Sequence, residues 1–414
     1  MSQRPLPAAR ATERRPSGLK SPERLDFSDA TQRPRSGTSR PQRLAGRLLA
    51  LGALGLPLAG CPDTDTPALA PRAATRVCTT EELFQFRTSG SGEVRTDLWV
   101  AFVDVGQGDS TWIRTPGTIG VDAKDILVDA GDCLLTRPFA GDVGECGIVY
   151  TGPSEGQVDG VQALIDFMAS NGLPKGGRID TLVVTHPDKD HYGGSWRVMQ
   201  EYVVDAVVDP GVDTDQVTYQ ALRRAVRAEG AEDLRPALAT GLDGGGERRT
   251  RLWGLDVEAT LLSADAAAAT DNNASVVIAL DYRGVRLILT GDAEAPLDAA
   301  LVAEWGDALR AQVLKAGHHG GMNTNTNTLL DAVFPPRNQS ADRYVVVSSG
   351  RRDNLPAADT LERLLAHVGT FGLYRTDRGD ANKTRQEAPG DDHILMRVTP
   401  DGVLTMCYAF PDDL

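Results

Sequence analysis

The stretch THPDKDHYGG, residues Thr185 to Gly194, follows the apolar run IDTLVV. A short apolar run that ends in a polar segment with glycines predicts a buried strand followed by a loop. Four residues of this loop have side chains that bind metal ions: His186, Asp188, Asp190 and His191. Their spacing lets a short loop direct two imidazoles and two carboxylates towards one point, a mixed set that suits zinc, manganese or iron. Taken alone, the stretch could equally be a solvated turn.

Two further segments place polar residues directly after predicted strands. LILTGDAE (residues 287–294) contains Asp292, and LKAGHHGG (residues 314–321) contains the pair His318 and His319. Alone, Asp292 could be the N-cap of the next helix, and the histidine pair could belong to a surface loop. Loops at strand ends are where a sheet presents ligands. The three segments together supply up to seven ligand groups in the order HxDxDH, D, HH.

Short predicted strands and helices alternate from about residue 95 onwards. Apolar runs predict the strands, and apolar residues at helical spacing predict helices within residues 158–174 and 358–368. Residues 232–251 show neither pattern and are predicted to form a loop. Strands outnumber helices but both recur to the end of the chain, so we predict a layered α/β (α+β) domain with sheets inside and helices outside.

Six motifs occur in an order that resembles the metallo-β-lactamase superfamily, and more closely the hydrolase domain of ComEC-type competence proteins. They are DVGQGDS (104–110), LVDAGD (127–132), THPDKDHYGG (185–194), NNASVVIAL (272–280), LTGDAE (289–294) and LKAGHHGG (314–321). LYRTDRGD (373–380) also resembles a late motif of that group. The resemblance covers about residues 97–410. It implies an αββα metallo-β-lactamase sandwich and a metal-dependent hydrolase.

Two features depart from the wider superfamily. Asp188 stands where the HxHxDH motif of that superfamily has its second histidine, and no histidine occurs between His191 and His318. A zinc β-lactamase needs a third zinc-bound histidine in that interval, so antibiotic hydrolysis is not expected. The additional carboxylate makes the predicted site harder and more anionic. Such a site suits two divalent ions, zinc or manganese, bound jointly with a phosphate oxygen.

Carried over position by position, the resemblance implies two metal sites that share one aspartate. His186, Asp188 and one histidine of the pair would hold the first ion. Asp190 and His191 would hold the second ion, and Asp292 would bridge the two. The cofactors that we expect are therefore two divalent metal ions.

The resemblance leaves open which histidine of the pair binds metal. We expect His318 to be the ligand. His319, together with Asp190, is expected to take part in catalysis, by contacting the phosphate or protonating the leaving group.

Other residues of the motifs are expected near the site without binding metal. Those expected on the substrate side are Asn272, Asn273, Ser275 and Lys315. The two asparagines could equally form a turn before the next strand, and the lysine could be structural. Those expected to organise the loop beneath the site are Asp104, Asp109 and Asp129.

The first part of the chain differs in composition from the rest. Residues 1–60 contain 11 Lys and Arg against 4 Asp and Glu, which gives them a net charge of +7. Because the whole chain has a net charge of −14, residues 61–414 have a net charge of −21. Residues 1–43 are rich in Arg, Ser and Pro and are predicted to be a disordered basic extension. A remainder this acidic repels polyanions at long range.

Residues 44–61 are expected to direct export. The 13 residues from Leu48 to Gly60 have no charge, which is too short for a membrane-spanning helix but typical of a signal-peptide h-region. The LAGC sequence that ends at Cys61 resembles a lipobox and implies lipidation of that cysteine. The alternative is a short buried helix. Residues 62–94 are predicted to be a tether, and residues 95–414 the hydrolase domain.

Four cysteines remain after Cys61, an even number that is consistent with disulfide bonds in an oxidising compartment. Cys133 and Cys146 flank a glycine-containing loop, so we expect that short bridge. Cys78 and Cys407 would then join the two ends of the domain.

These observations favour an exported, lipid-anchored binuclear hydrolase that acts on a phosphodiester, either a small phosphoester or a nucleic acid. We expect membrane contact only through the lipid and no transmembrane channel. A carboxylic ester or lactone is an alternative substrate. A lipid-anchored metal-binding protein without catalytic activity is an alternative of a different class.

Overall fold

Successive side chains of the central strands point to opposite faces of their sheet, and both faces are apolar. One face packs against the other sheet and the opposite face packs against helices, so the domain has four layers: helices, sheet, sheet and helices. Val100 and Phe102 pack into a core that lies between two sheets. Trp99 and Ala101 of the same strand point the other way, into a core shared with helices. The computed structural model describes residues 76–88, 95–132, 160–245, 250–336, 342–350, 354–377 and 392–409, and the backbone of two short strands between residues 134 and 147. These residues all belong to one compact unit, residues 66–414.

The first sheet has eight strands. In the order in which they pair, these are β10 (Glu232–Leu234), β9 (Ala206–Val208), β7 (Thr181–Val183), β3 (Asp125–Val128), β2 (Thr111–Arg114), β1 (Leu98–Phe102), β18 (His393–Val398) and β19 (Leu404–Ala409). The strands from β3 to β10 are parallel, and the remaining neighbours are antiparallel.

The second sheet has seven strands. In pairing order they are β11 (Thr250–Leu252), β12 (Glu258–Ser263), β13 (Val277–Tyr282), β14 (Val285–Leu289), β15 (Val313–Lys315), β16 (Tyr344–Val347) and β17 (Leu373–Arg375). The strands from β14 to β17 are parallel. The described residues also form two small sheets: β4 (Leu134–Leu135) with β5 (Cys146–Gly147), and β6 (Arg178–Ile179) with β8 (Val203–Val204).

Helices cover the outer faces of both sheets. The α-helices are α1 (Thr80–Thr88), α2 (Gly160–Ser170), α3 (Lys189–Tyr192), α4 (Ser195–Glu201), α5 (Val217–Glu229), α6 (Ala237–Thr240), α7 (Ala295–Trp305), α8 (Asn327–Val333) and α9 (Ala358–Val368). Short 3₁₀ turns occur at Asn272–Ala274, Gly306–Leu309 and Gly317–Gly320. None of the helices in the described ranges is both long enough and apolar enough to cross a membrane.

Three apolar clusters account for the layers. The central cluster joins residues of both sheets, such as Val128 and Leu289. A second cluster packs the first sheet against α2, α4 and α5, and a third packs the second sheet against α7, α8 and α9. The predicted αββα sandwich is therefore the observed architecture.

Two predictions about local structure were wrong. Residues 232–251 are not simply a loop, because they contain β10, α6 and the start of β11. β10 pairs only with the distant strand β9, a contact that local patterning does not reveal. Residues 76–88 are not part of a tether. They include α1, whose Phe86 is fully buried and lies 5.4 Å from the ring of Trp99 and 5.6 Å from that of Trp112.

A disulfide bond joins Cys78 to Cys407, across 329 positions of sequence. It connects the segment before α1 to β19, and the backbone of Cys78 also donates a hydrogen bond to Tyr408 O, 2.9 Å away. Both ends of the described domain are thereby attached to the first sheet. The other expected bridge involves Cys133 and the side chain of Cys146, which lie outside the described residues.

We expect that replacing both Cys78 and Cys407 by serine lowers the free energy of unfolding by about 2–5 kcal/mol, since the crosslink restricts the unfolded chain. Urea titration of the oxidised protein checks this value. Reduction of a variant that lacks Cys133 and Cys146 should produce a similar loss and serves as the matched control. An unchanged midpoint in the double variant would show that the backbone contacts alone hold this segment.

Candidate metal centre

The loops that follow four strands meet at one edge of the sandwich. These loops follow β3, β7, β14 and β15 and contain Asp129, His186, Asp292 and His319 respectively. β3 is parallel to β7, and β14 is parallel to β15, so the carboxyl ends of each pair lie at the same edge of their sheet. This is the edge at which open α/β sheets bind ligands. All four side chains are almost completely buried.

Close approach of the loops requires glycine at two points. A Cβ atom at Gly194 would lie 2.0 Å from Ala130 O, a separation that no side chain tolerates. Gly291 has a φ of +54°, and a Cβ there would lie 2.8 Å from Ser275 Oγ and 2.9 Å from Thr185 Cβ. The glycines of THPDKDHYGG and LTGD therefore bring the metal-binding loops together.

The carboxylate of Asp292 lies at the centre of four imidazoles. Its Oδ1 is 3.1 Å from Nε2 of His191. Its Oδ2 is 3.7 Å from Nε2 of His186, 3.7 Å from Nε2 of His319 and 3.8 Å from Nε2 of His318. All four histidines thus present the same ring nitrogen to one carboxylate.

The opposite nitrogen of each imidazole has a partner that sets the orientation of the ring. Nδ1 of His191 lies 2.8 Å from Asp129 Oδ2, and Nδ1 of His319 lies 3.0 Å from Ser348 O. A carbonyl oxygen only accepts hydrogen bonds, so His319 carries its proton on Nδ1 and leaves Nε2 free for a cation.

Asp129 and Thr185 hold His191 and His186 together. The backbone N and Oγ1 of Thr185 each donate a hydrogen bond of 2.8 Å to the carboxylate of Asp129. Oγ1 is then free to accept from Nδ1 of His186, at 3.1 Å. Asp129 has a φ of +57°, an uncommon backbone conformation for an aspartate. Asp129 therefore orients imidazoles, in agreement with its expected role beneath the site.

Several buried atoms of the cluster have no hydrogen-bond partner. They are Nε2 of His186, His191 and His319, Oδ1 of Asp109 and Oδ1 of Asp292. Unsatisfied polar atoms at this density are costly unless an ion completes them. Four overlapping groups have ligand atoms within 4.8 Å of one another: His186/His191/Asp292, Asp190/His191/His319, Asp109/Asp292/His319 and Asp109/Asp129/His191. This donor set of imidazoles and carboxylates fits divalent metal ions.

The electrostatics of the cluster favour positive charge at its centre. Burial alone would lower the pKa of His319, but the carboxylates of Asp292 and Asp109 raise it to about 10. Burial likewise opposes ionisation of Asp292, yet His191 and His319 hold the pKa of this carboxyl well below its usual range. The cluster therefore stabilises cations, whether these are protons on the imidazoles or metal ions.

The histidine pair is arranged differently from our expectation. His319 is fully buried, and its Nε2 lies 3.2 Å from Asp190 Oδ2, so it belongs to the groups that fit a metal ion. The side chain of His318 is 33% exposed and lies at the rim, with Nδ1 3.4 Å from Oε1 of Glu294. The geometry thus favours His319 as a ligand over the purely catalytic role predicted for it.

Asp188 also lies at the rim. Its side chain is 41% exposed, and its Oδ2 is 3.5 Å from Nε2 of His186. This contact places Asp188 beside the fully buried His186. The resulting site has a buried half around His191 and His319 and an open half around Asp188 and His318.

Lys315 is not on the substrate side. It is buried beneath the cluster, and its Nζ forms an ion pair with Asp109 and donates a hydrogen bond of 3.0 Å to Ala316 O. Asp109 in turn lies 3.4 Å from Nδ1 of His319. The ammonium group of Lys315 is therefore buried and paired with Asp109. This finding corrects our expectation that Lys315 contacts substrate.

The segment Asn272–Ala274 forms a turn before β13, which was the alternative interpretation of the two asparagines. Asn272 Nδ2 donates to Glu294 Oε1 at 3.0 Å, and Asn273 Nδ2 donates to Glu294 Oε2 at 3.2 Å. Ser275 Oγ accepts a hydrogen bond of 3.0 Å from the backbone N of Asp292. These residues therefore fix the LTGDAE loop.

The sequence interpretation missed two contributions to the site. Glu294 was not selected, although it lies two residues after Asp292 and approaches His318. Asp109 was assigned to the loop beneath the site, yet it lies within reach of two imidazoles. Asp109, like Asp292, directly follows a glycine in a polar loop, and this shared Gly-Asp pair was the signal that could have identified it.

We expect Asp129→Asn to weaken binding of Mn²⁺ or Zn²⁺ about 10- to 100-fold, because His191 loses the carboxylate that orients it. Isothermal titration calorimetry on metal-free protein measures the affinity. Asp281→Asn is the matched control, since Asp281 pairs with Arg286 at the opposite end of the β13–β14 hairpin. Wild-type affinity in Asp129→Asn would exclude this orienting role.

Comparison with known proteins agrees with this geometry. Residues 151–338 match the family model described as the metallo-β-lactamase superfamily. ComE operon protein 3 of Bacillus subtilis (strain 168) is 25% identical over 293 residues, which are 67% of this chain and 32% of that protein. Competence protein ComA of Neisseria gonorrhoeae is 29% identical over 206 residues, 49% of this chain and 25% of that protein.

A third relative is Recombination protein 2 of Haemophilus influenzae, 25% identical over 70% of this chain and 28% of its own length. The chain thus spans about a quarter to a third of the length of these relatives. One similar solved structure is that of CmlA, a diiron β-hydroxylase from Streptomyces venezuelae, which is 13% identical in sequence. The match covers 54% of this chain and 35% of that chain, with a TM-score of 0.27. A score this low does not establish a shared fold.

The assignment therefore rests on the family match, on the three relatives and on the histidines and aspartates grouped around Asp292. Residues 151–338 thus match a metallo-β-lactamase domain, and the chain is similar to the ComEC-type competence proteins.

Proposed function

We propose that this protein is a binuclear metal-dependent phosphodiesterase that acts outside the cytoplasm. The observation that carries the proposal is the set of four imidazole Nε2 atoms within 3.1–3.8 Å of the carboxylate oxygens of Asp292. A single carboxylate shared by ligands from separate loops is suited to bridging two ions.

The ligands divide between the buried and the open half of the site. Asp190, His191 and His319 would hold the inner ion, because their ligand atoms lie within 4.8 Å of one another. The outer ion would be held by the buried His186 and by Asp188 at the rim, with His318 on the solvent side. Asp292 would contribute to both ions.

The chemistry of the ligands favours a phosphodiester as the substrate. Three carboxylates, those of Asp188, Asp190 and Asp292, contribute oxygen donors, and hard ions that prefer oxygen donors also bind phosphate oxygens. Two ions held by these residues would supply a nucleophile at neutral pH and electrostatic stabilisation of the phosphoryl oxygens.

The residues around the ligands set the geometry for this reaction. Glu294 lies beside Nδ1 of His318, and Asn272 and Asn273 hold the Glu294 carboxylate. On the buried side, the ammonium group of Lys315 balances the charge of Asp109. Preorganised side chains of this kind hold the reacting groups in register and need little rearrangement during the reaction.

The charge of the chain bears on the kind of phosphodiester. The relatives are named for competence and recombination, which makes DNA a natural candidate. The net charge of −21 after residue 60, however, opposes strong binding of a polyanion. We propose a small phosphodiester as the preferred substrate and single-stranded DNA as a second, salt-sensitive one.

The proposed location rests on two features. Residues 44–61, which lie outside the described part of the structure, have the charge-free run and LAGC sequence of a lipoprotein signal. The disulfide bond between Cys78 and Cys407 belongs to an oxidising compartment. We propose export and membrane attachment through a lipid on Cys61.

Hydrolysis of bis(p-nitrophenyl) phosphate with added Mn²⁺ or Zn²⁺ tests the activity. We expect turnover by the wild-type protein and a loss of about a hundred-fold or more in Asp292→Asn, because both ions lose a ligand. Asp281→Asn, which removes a carboxylate far from the site, should retain full activity.

Parallel assays separate the alternatives. Hydrolysis of p-nitrophenyl butyrate without phosphodiesterase activity would replace the proposal with an esterase. Two bound ions without turnover of any substrate would favour a metal-binding protein. Cleavage of single-stranded DNA that exceeds turnover of the small substrate at 150 mM salt would show that the charge argument had failed.

Lipid attachment is tested by fractionating cells that express the full chain. We expect the wild-type protein in the membrane fraction, released by detergent but not by salt, since an acyl chain binds through apolar contact. Cys61→Ser should shift the protein to the soluble fraction, whereas Cys133→Ser should not. Retention of Cys61→Ser in the membrane would refute the lipid anchor.

A further inference from the structure

The turn Gly317–Gly320, which contains both histidines of the pair, has an unusual backbone. His318 has φ +47° and ψ +52°, and His319 has φ +49° and ψ +26°, so two consecutive non-glycine residues are left-handed. Such a conformation persists only where the surrounding structure holds it. The N-cap residue Ala316 makes no side-chain hydrogen bond to this turn, so the restraint must come from another element.

The side chain of Asn325 provides this restraint. Its Oδ1 accepts a hydrogen bond of 3.0 Å from the backbone N of Gly317, and its Nδ2 donates one of 3.1 Å to the O of the same residue. Asn325 is 1% exposed, and its Nδ2 also donates to Thr324 Oγ1 at 2.6 Å. One amide therefore binds both backbone groups of the residue immediately before His318.

Gly317 is also packed against the loop of Asp292. A Cβ atom at Gly317 would lie 2.6 Å from Ala293 O, and His318 N donates to Gly291 O at 3.3 Å. The position of Gly317 thus sets the separation between the histidine turn and the carboxylate that the imidazoles face.

Helix α9 holds the segment that contains Asn325. Nη2 of Arg363 donates to Met322 O at 3.1 Å and to Thr324 O at 3.0 Å, and Thr360 Oγ1 donates to Gly321 O at 2.8 Å. Asn325 is itself left-handed, with a φ of +52°. These contacts hold the segment from Gly321 to Asn325 against α9.

We propose that Asn325 is a positioning residue for the metal centre, which fixes the His318–His319 turn against Asp292 before any ion binds. The inference rests on the metal-binding part of the proposed function and is independent of the substrate. Its measurable consequence is metal affinity, because misplaced imidazoles bind an ion less tightly whatever reaction follows.

The test compares Asn325→Asp with Asn327→Asp by calorimetric titration of the metal-free proteins with Mn²⁺ and by the absorption spectrum of the Co²⁺ forms. The first change keeps the size of the side chain but directs a carboxylate oxygen at Gly317 O. The second makes the same charge change at an exposed position two residues away. We expect Asn325→Asp to bind Mn²⁺ at least about ten-fold more weakly, with an altered Co²⁺ spectrum, and Asn327→Asp to match the wild type.

Arg363→Gln is the second variant, in case Asn325→Asp does not fold. It loosens the segment from α9 and should weaken Mn²⁺ binding in the same direction but by less. Thermal unfolding of the metal-free proteins separates positioning from general stability. A lower melting temperature with wild-type affinity and Co²⁺ spectrum in the folded variants would overturn the proposal, as would a wild-type protein that binds no divalent ion. If metal binding changes as expected but no phosphodiester is hydrolysed, the positioning role stands and the proposed reaction fails.

Discussion

The buried carboxylate of Asp292 and the four imidazoles that face it form the constraint on which the rest of the structure depends. A carboxylate that is 2% exposed is costly unless positive charge accompanies it. The four histidines come from two loops, after β7 and after β15, and each has its Nδ1 directed at a separate partner. The positions of these loops, and hence the order of the strands, are therefore coupled to one carboxylate.

The sandwich meets this constraint by ending several parallel strands at the same edge. β3 and β7 contribute from the first sheet, and β14 and β15 contribute from the second. Glycines at positions 194 and 291 allow the loops to approach more closely than any side chain would permit. Packing in the central core thus fixes the distance between Asp292, which follows a strand of the second sheet, and the β7 loop of the first sheet. A shift between the sheets would separate the two.

Around the ligands, a second set of residues balances charge and orientation. Asp129 holds His191, Glu294 approaches His318, and Ser348 O accepts from His319. The buried ion pair of Lys315 with Asp109 places a positive charge under an otherwise anionic centre, where it limits the repulsion between carboxylates. Asn325 and α9 extend this support to the backbone of the histidine turn. The site is consequently a property of several elements and not of its ligands alone.

The sequence by itself determined the class of fold and pointed to the histidines and aspartates that the structure groups around Asp292. Apolar runs that end in HxDxDH, TGD and HHGG specify strands that end in polar loops, and these local signals need no long-range contact. Only the tertiary structure decided what those residues do. It showed that His319 is buried and His318 is at the rim, that Lys315 neutralises Asp109, and that residues 76–88 and β10 belong to the domain. Such outcomes depend on which distant segments meet, because burial and ion pairing are set by packing between elements and not by local residue pattern.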